Sequence, residues 1–217
     1  MKLYVTPTSP YARLVLIVRL ELGLADRVDL VWTRTRQAED PMLAFNPSGR
    51  VPFLHLDDDT GFEDTDLIVE FLDRLAAADG DGERRFVRPA FDGAGEAGYW
   101  AFRRLEMTAR SMLDGVSVWG RELVRPAGEQ SPGIIAHERR RAFRLAGVFD
   151  GIARGTAEND VLGGPLNLVQ LLLFCALNVR TRLPDFDWAD TYPDLAAWFD
   201  RMQLVPSVRD SAPPPGV

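Results

Sequence analysis

Lys2-Leu3-Tyr4-Val5-Thr6-Pro7-Thr8-Ser9-Pro10-Tyr11-Ala12-Arg13-Leu14-Val15 changes its periodicity halfway along. Residues 2–5 read as a short strand, and the Pro-containing stretch 6–10 stops it. Beyond Tyr11 the apolar residues recur at helical spacing, with Leu14, Val15, Ile17, Val18 and Leu22 on the pattern. Gly23 ends that helix. A second strand is expected over 28–32, then a Pro-rich connector over 41–52, and a third strand at Phe53-Leu54-His55-Leu56. The polar turn 57–61 leads into a short fourth strand near Phe62. A helix over 65–77 follows, with Leu67, Ile68, Phe71, Leu72 and Leu75 on one face. The order is βαβ, a connector, then ββα, and strand–helix–strand at this spacing implies a parallel pair.

Outward from this block the pattern changes. Asp79-Gly80-Asp81-Gly82-Glu83 is charged, turn-rich and poor in apolar residues, as a linker is. Four helices are expected after it, over 92–123, 132–153, 167–180 and 192–202. The third is apolar nearly all round and belongs at the centre of a helical domain. The Pro-rich tail 211–215 cannot be helical. The expected organisation is α/β plus all-α: an α/β domain over 1–78, a linker over 79–91 and an all-helical domain over 92–217.

Composition narrows the function classes. Thirty-two acids against 25 bases in 217 residues leave a net charge of −7, which excludes a general nucleic-acid or anionic-membrane binder. One cysteine excludes an internal disulfide, a Cys-x-x-Cys pair and a thiolate zinc cage. His55 and His137 are too far apart to suggest a metal site, so no metal is expected. The most apolar stretch, 166–177, is about twelve residues, short of the roughly 20 a membrane span needs. With no signal peptide visible, the chain reads as a soluble cytoplasmic protein. Cys175, among leucines and Phe174, reads as an inert buried thiol.

Three short motifs can carry chemistry, and each has a plainer reading beside it. Ser9-Pro10 at a helix start is a good N-cap followed by a favoured first residue. The same geometry would steady an anion, such as a bound thiolate, beside the Ser9 hydroxyl. Val51-Pro52 at a strand entry is either a plain trans proline or a cis peptide that presents the Val51 backbone to an extended peptide. Glu63-Asp64-Thr65-Asp66 is a capped helix start with acids in its first turn. Alternatively, Asp64 holds an ammonium and Thr65 a carboxylate.

Taken in order and spacing, Ser9-Pro10-Tyr11, Asn46-Pro47-Ser48-Gly49-Arg50-Val51-Pro52 and Asp64-Thr65-x-x-Ile68 resemble the glutathione S-transferase superfamily. Asn167-Leu168-Val169-Gln170 resembles that superfamily's capping box, usually Thr-x-x-Asp. Tyr192 to Phe199, then Pro206-Ser207-Val208, resembles its closing helix and terminus. Ser9 stands where omega-class and glutaredoxin-like members carry Cys. It looks like the serine-type arrangement of tau-class and several bacterial members.

The resemblance implies a thioredoxin-like N-terminal domain that takes glutathione as cosubstrate. Val51, before a cis Pro52, would pair with the cysteinyl part, Asp64 and Thr65 would hold the γ-glutamyl end, and Arg34 and Arg50 would meet the glycyl carboxylate. Ser9 would lower the thiol pKa, with Tyr11 and Tyr4 as rival hydroxyls. A small hydrophobic electrophile would lie between the domains, against Tyr99, Trp100, Arg103, Arg104, Glu106 and Met107, with Trp119 further along. The apolar members can equally be helix-bundle core, and the arginine pair a solvated face.

Three functions fit: a detoxifying transferase; a glutathione-dependent peroxidase, isomerase or dehalogenase; and a non-catalytic glutathione-binding scaffold. Retention of Ser9, Val51-Pro52 and Asp64-Thr65 argues against the scaffold. Homodimers are usual in the superfamily. Since glutathione is itself a net anion, an acidic chain must recruit it by local field: the helix N-termini at Ser9 and Thr65, and Arg13, Arg34 and Arg50.

Overall fold

The computed structural model describes residues 1–80, 86, 95–155 and 161–213. Their strands and α-helices run β1 (Lys2–Val5), α1 (Pro10–Glu21), β2 (Asp29–Trp32), β3 (Phe53–His55), β4 (Gly61–Glu63), α2 (Thr65–Asp79), α3 (Gly95–Leu123), α4 (Pro132–Ala153), α5 (Leu168–Asn178), α6 (Trp188–Thr191), α7 (Pro193–Gln203) and α8 (Pro206–Asp210). The chain divides into two compact units, Met1–Ala90 with Pro206–Val217, and Phe91–Val205.

The first unit is thioredoxin-like. Its sheet has the order β2-β1-β3-β4. β1 pairs in parallel with β2, with Val5 opposite Trp32, as the strand–helix–strand order requires. β3 runs antiparallel to β1, with Tyr4 opposite Phe53, and β4 antiparallel to β3, with Glu63 opposite Phe53. Leu3 and Val5 are fully buried while Tyr4 between them is half-buried, the period-2 signature of a strand. In α1 the run Leu14, Val15, Leu16, Ile17 and Val18 is buried throughout, because α1 packs against α2 on one side and α8 on another. Gly23, at φ +66°, supplies the left-handed turn that ends the helix. The Arg19 guanidinium, whose pKa burial pulls down, donates to Val28 O at 2.7 Å and Ala25 O at 2.5 Å, tying that turn to β2.

The second unit is helical. α3 packs on α4 and α5, and α4 on α7. Residues 171–177 of α5 are at most 1% exposed, the central position its all-round apolarity predicts. The substituted capping box forms in full: Gln170 N donates to Asn167 Oδ1 at 3.1 Å, and Asn167 N to Gln170 Oε1 at 3.3 Å. The start of α7 is capped from another helix. Asp150 Oδ1, on α4, accepts from Asp194 N and Leu195 N, both at 3.0 Å. Cys175 is 1% exposed. Among the described residues no helix is long and apolar enough to cross a membrane.

The expected division at 92–217 needs one correction. The described residues 206–213 group with the first unit, because Arg13 donates to Val208 O at 3.2 Å and Ser211 Oγ at 3.3 Å and so holds this segment on α1. α6 and α8 were not expected, since helices this short carry no readable hydrophobic period. The expected linker lies outside the described residues except for Asp79 and Gly80, at the end of α2, and Phe86. Phe86 is 2% exposed and donates its N–H to Asp73 Oδ2 at 3.0 Å. Residues 92–94 and 214–215 also lie outside the described residues.

Candidate functional site

Strand register brings the three N-terminal motifs to one end of the sheet. Val5, the last residue of β1, leads into Ser9. Tyr4 lies opposite Phe53, so the entry to β3, with Val51 and Pro52, is at that same end. Phe53 lies opposite Glu63, so the exit from β4 into Asp64 is there too. β2 is parallel to β1, which adds its exit toward Arg34. With strands about 4.8 Å apart, β1, β3 and β4 place these motifs within roughly 10 Å laterally. Two helix N-termini, those of α1 and α2, therefore open at the same edge, where free N–H groups favour anions.

Ser9 caps α1: its Oγ accepts from Ala12 N at 3.1 Å. That bond uses a lone pair and leaves the hydroxyl proton available to donate, so capping and anion binding are compatible roles. Ser9 is held further by its own N–H to Thr6 O at 3.3 Å and by Arg13 N on its carbonyl at 3.0 Å.

The loop before β3 is built around a residue whose part the sequence did not reveal, Asn46, which is 1% exposed. Its Nδ2 donates to Arg50 O at 2.8 Å, and its Oδ1 accepts from Ser48 Oγ at 3.0 Å. Gly49, at φ +62°, closes the turn with its N–H on Asn46 O at 3.0 Å. A buried amide left unpaired would cost about 1–3 kcal/mol, so these bonds select one loop shape. The Val51-Pro52 peptide at the end of the loop is cis. Arg50 and Arg34 are exposed.

Asp64 caps α2, its Oδ1 accepting from Asp66 N at 2.9 Å. Its backbone stands at φ 77° and ψ 135°, a conformation a residue with a Cβ rarely adopts. Thr65 follows at the first helical position and is 4% exposed. This sheet edge can thus offer an extended-strand partner at Val51, a carboxylate at Asp64, and donors at two helix starts.

The rival hydroxyls are placed differently. Tyr4 packs in an aromatic cluster, its ring 5.3 Å from Phe45 and 6.2 Å from Phe53. Burial, with the charge of Asp40 adding to it, raises its pKa, so the phenol stays protonated at neutral pH. Tyr11 is half-buried in the first turn of α1. His55 stacks on Phe45 with ring centroids 4.4 Å apart, a packing contact. Arg13, expected as a source of positive field, directs its guanidinium to the C-terminal segment.

On α3 the expected electrophile-facing residues divide between two lines. Tyr99, Arg103 and Glu106 follow one line at i, i+4 and i+7; Trp100, Arg104 and Met107 follow another about 100° round the helix. Arg103 pairs with Glu106, which is 2% exposed and whose Oε2 is a buried acceptor with no hydrogen-bond partner among the described residues. Trp100 and Met107 are exposed, Trp100 donating to Glu96 Oε1 at 3.3 Å. Arg104 is exposed as well. Trp119 is 1% exposed and meets Phe186 edge-on at 5.6 Å, which makes it a core residue. Among the described residues no group of three or more His, Cys, Asp or Glu could hold a metal.

Comparison with known proteins accords with this geometry. Residues 3–81 match the family described as glutathione S-transferase, N-terminal domain. The chain is 27% identical over 218 residues to the uncharacterized GST-like protein YibF of Escherichia coli, covering 99% of each. A glutathione transferase family member from Pseudomonas fluorescens Pf-5, solved with bound glutathione, superposes with a TM-score of 0.81 at 26% identity over 98% of both chains. A glutathione S-transferase from Methylobacillus flagellatus, also with glutathione bound, gives 0.80 at 28% identity over 98% of this chain and 99% of that one.

Proposed function

For a chain of the glutathione S-transferase superfamily with this sheet edge, we propose that it binds glutathione and activates its thiolate for attack on a small hydrophobic electrophile. The observation that carries the reading is the convergence of Ser9, the Val51-Pro52 peptide and Asp64-Thr65 at one end of the sheet, in a fold whose solved neighbours hold glutathione. Val51 pairs with the cysteinyl backbone as an added strand. Asp64 accepts from the γ-glutamyl ammonium, and Thr65 with the free N–H groups of α2 meets the γ-glutamyl carboxylate. Arg34 and Arg50 serve the glycyl carboxylate.

The Ser9 hydroxyl donates to the sulfur. Together with the N-terminal end of α1 it lowers the thiol pKa below the roughly 8.5 of a free thiol, raising the thiolate fraction at neutral pH. The reaction is then displacement or addition at an electrophilic carbon, helped by holding the two reactants together. Of the residues expected at the electrophile, Tyr99, Arg103 and Glu106 form one candidate line on α3, and Trp100, Arg104 and Met107 the other. On this reading the protein is a cytoplasmic homodimer, the usual assembly of its superfamily.

Calorimetric titration with glutathione tests the binding half, and no heat at millimolar ligand would refute it. Ser9→Ala tests the chemical half. It should cost about 1 kcal/mol of stability as a lost cap and leave glutathione affinity nearly intact, while conjugation falls sharply. Undiminished conjugation would reduce Ser9 to a helix cap. A panel of electrophiles and hydroperoxides, assayed with and without glutathione, separates transferase from peroxidase chemistry.

A further inference from the structure

Ser9 has little independence from the helix it starts. Its N–H is tied to Thr6 O, its carbonyl accepts from Arg13 N, and its Oγ accepts from Ala12 N. Wherever the first turn of α1 stands, the Ser9 hydroxyl stands with it. Arg13 lies one turn along, and its side chain leaves the helix for the far end of the chain. Nη2 donates to Val208 O at 3.2 Å and Nε to Ser211 Oγ at 3.3 Å, across 195 and 198 residues of sequence. Ser211 Oγ in turn donates to the same Val208 carbonyl at 2.7 Å. Val208 and Ser211 are 1% and 3% exposed.

We propose that Arg13 is a positioning residue: by clamping the first turn of α1 to the segment 206–213 it fixes the Ser9 hydroxyl where the glutathione sulfur binds. The inference rests on the proposed role of Ser9. α8 is too short to be stable alone, so it keeps its place through what it packs on, and α1 is that partner. The dependence runs both ways. A planar guanidinium reaches a carbonyl and a hydroxyl at once, which a single ammonium does not do with the same geometry. A charged donor strengthens a hydrogen bond, and two such bonds from one guanidinium, at 3.2 and 3.3 Å, restrain the first turn of α1 more than either would alone. Stiffness matters here because a displacement of about 1 Å in a reacting group can cost roughly 100-fold in rate.

The test compares the wild type with Arg13→Met, Arg13→Lys and Ser211→Ala as full-length chains. The readouts are the pKa of the bound glutathione thiol, from the ultraviolet absorbance of the thiolate, and kcat and KM for conjugation. Arg13→Met should lower kcat on the order of 10-fold and raise the bound thiol pKa, while KM for glutathione changes far less. Arg13→Lys should recover part of both, and Ser211→Ala should show a smaller shift in the same direction. If Arg13→Met lowers the melting temperature but leaves thiol pKa and kcat at wild-type values, the clamp is structural only and the proposal falls. Should Arg13→Met fail to fold, an unshifted thiol pKa in Ser211→Ala overturns it. A wild type that binds glutathione without lowering its thiol pKa refutes the role of Ser9, a result independent of the variants.

Discussion

Asp64 is where stability and binding should part, and replacing it by Gly and by Ala separates them. Its backbone stands at φ 77°, ψ 135°, and strain in such sparsely populated regions costs on the order of 1–3 kcal/mol. Its side chain offsets part of that by capping Asp66 N at 2.9 Å. Ala keeps the strain and loses the cap, a net loss of about 1 kcal/mol. Gly also loses the cap, at a few tenths of a kcal/mol, and adds about 0.5–1 kcal/mol of chain entropy, but it removes the strain. The glycine variant should therefore match or exceed the wild type, and surpass the alanine variant by about 1–3 kcal/mol. At about 2–4 °C per kcal/mol for a chain of this size, their melting temperatures should differ by roughly 2–12 °C.

On the proposed function, both variants also lose the carboxylate that meets the γ-glutamyl ammonium. Because Asp64 is exposed, screening reduces that charge-assisted bond to about 1–2 kcal/mol, or roughly 5- to 30-fold weaker glutathione binding in each. Thermal unfolding and calorimetric titration of the three proteins decide the matter. Equal melting temperatures for Ala and Gly would show that the backbone carries no strain. Unchanged affinity in both would show that the carboxylate does not face the ligand.

Two further outcomes concern the scaffold. Asp150→Ala strips both acceptor bonds from the start of α7, one of them to the buried Leu195 N–H. It should cost about 3–5 kcal/mol and roughly 6–20 °C in melting temperature, with Asp150→Asn losing less; an unchanged transition would refute the cross-helix cap. Tyr4 bears on alkaline stability. Its folded pKa is raised above the ordinary 10.0, so its contribution is fully present below pH 10.0 and is lost as pH rises through the folded value. Tyr4→Phe should lose less stability than the wild type over that alkaline range in melting curves, and parallel curves would remove Tyr4 as a cause.

Much of the local structure could be read directly because its causes lie within one turn or one strand. The shift from period 2 to period 3.6 near Ser9 and the all-round apolarity of α5 are properties of adjacent residues. So are the caps at Ser9 and Asp64 and the Asn167–Gln170 box, since a side chain that caps a helix reaches only two or three residues along. The residue types of the candidate site were equally legible, as was their order. Their convergence needed the sheet register, in which Tyr4, Phe53 and Glu63 line up across three strands.

The amino-acid sequence alone determined the order of the strands and long helices and the apolar heart of the helical unit, and it singled out Ser9, Val51-Pro52 and Asp64-Thr65 as candidates for meeting a peptide-like anion. Only the tertiary structure decided that the segment 206–213 belongs with the first unit, that Arg13 holds it there, that α7 is capped from α4, and that Trp119 is core while Trp100 is not. The physical reason is range. Periodicity and capping chemistry act between near neighbours. A guanidinium meeting a carbonyl 195 residues away, or a carboxylate meeting an amide 44 residues away, is set by how packed elements happen to approach, and no local pattern encodes it.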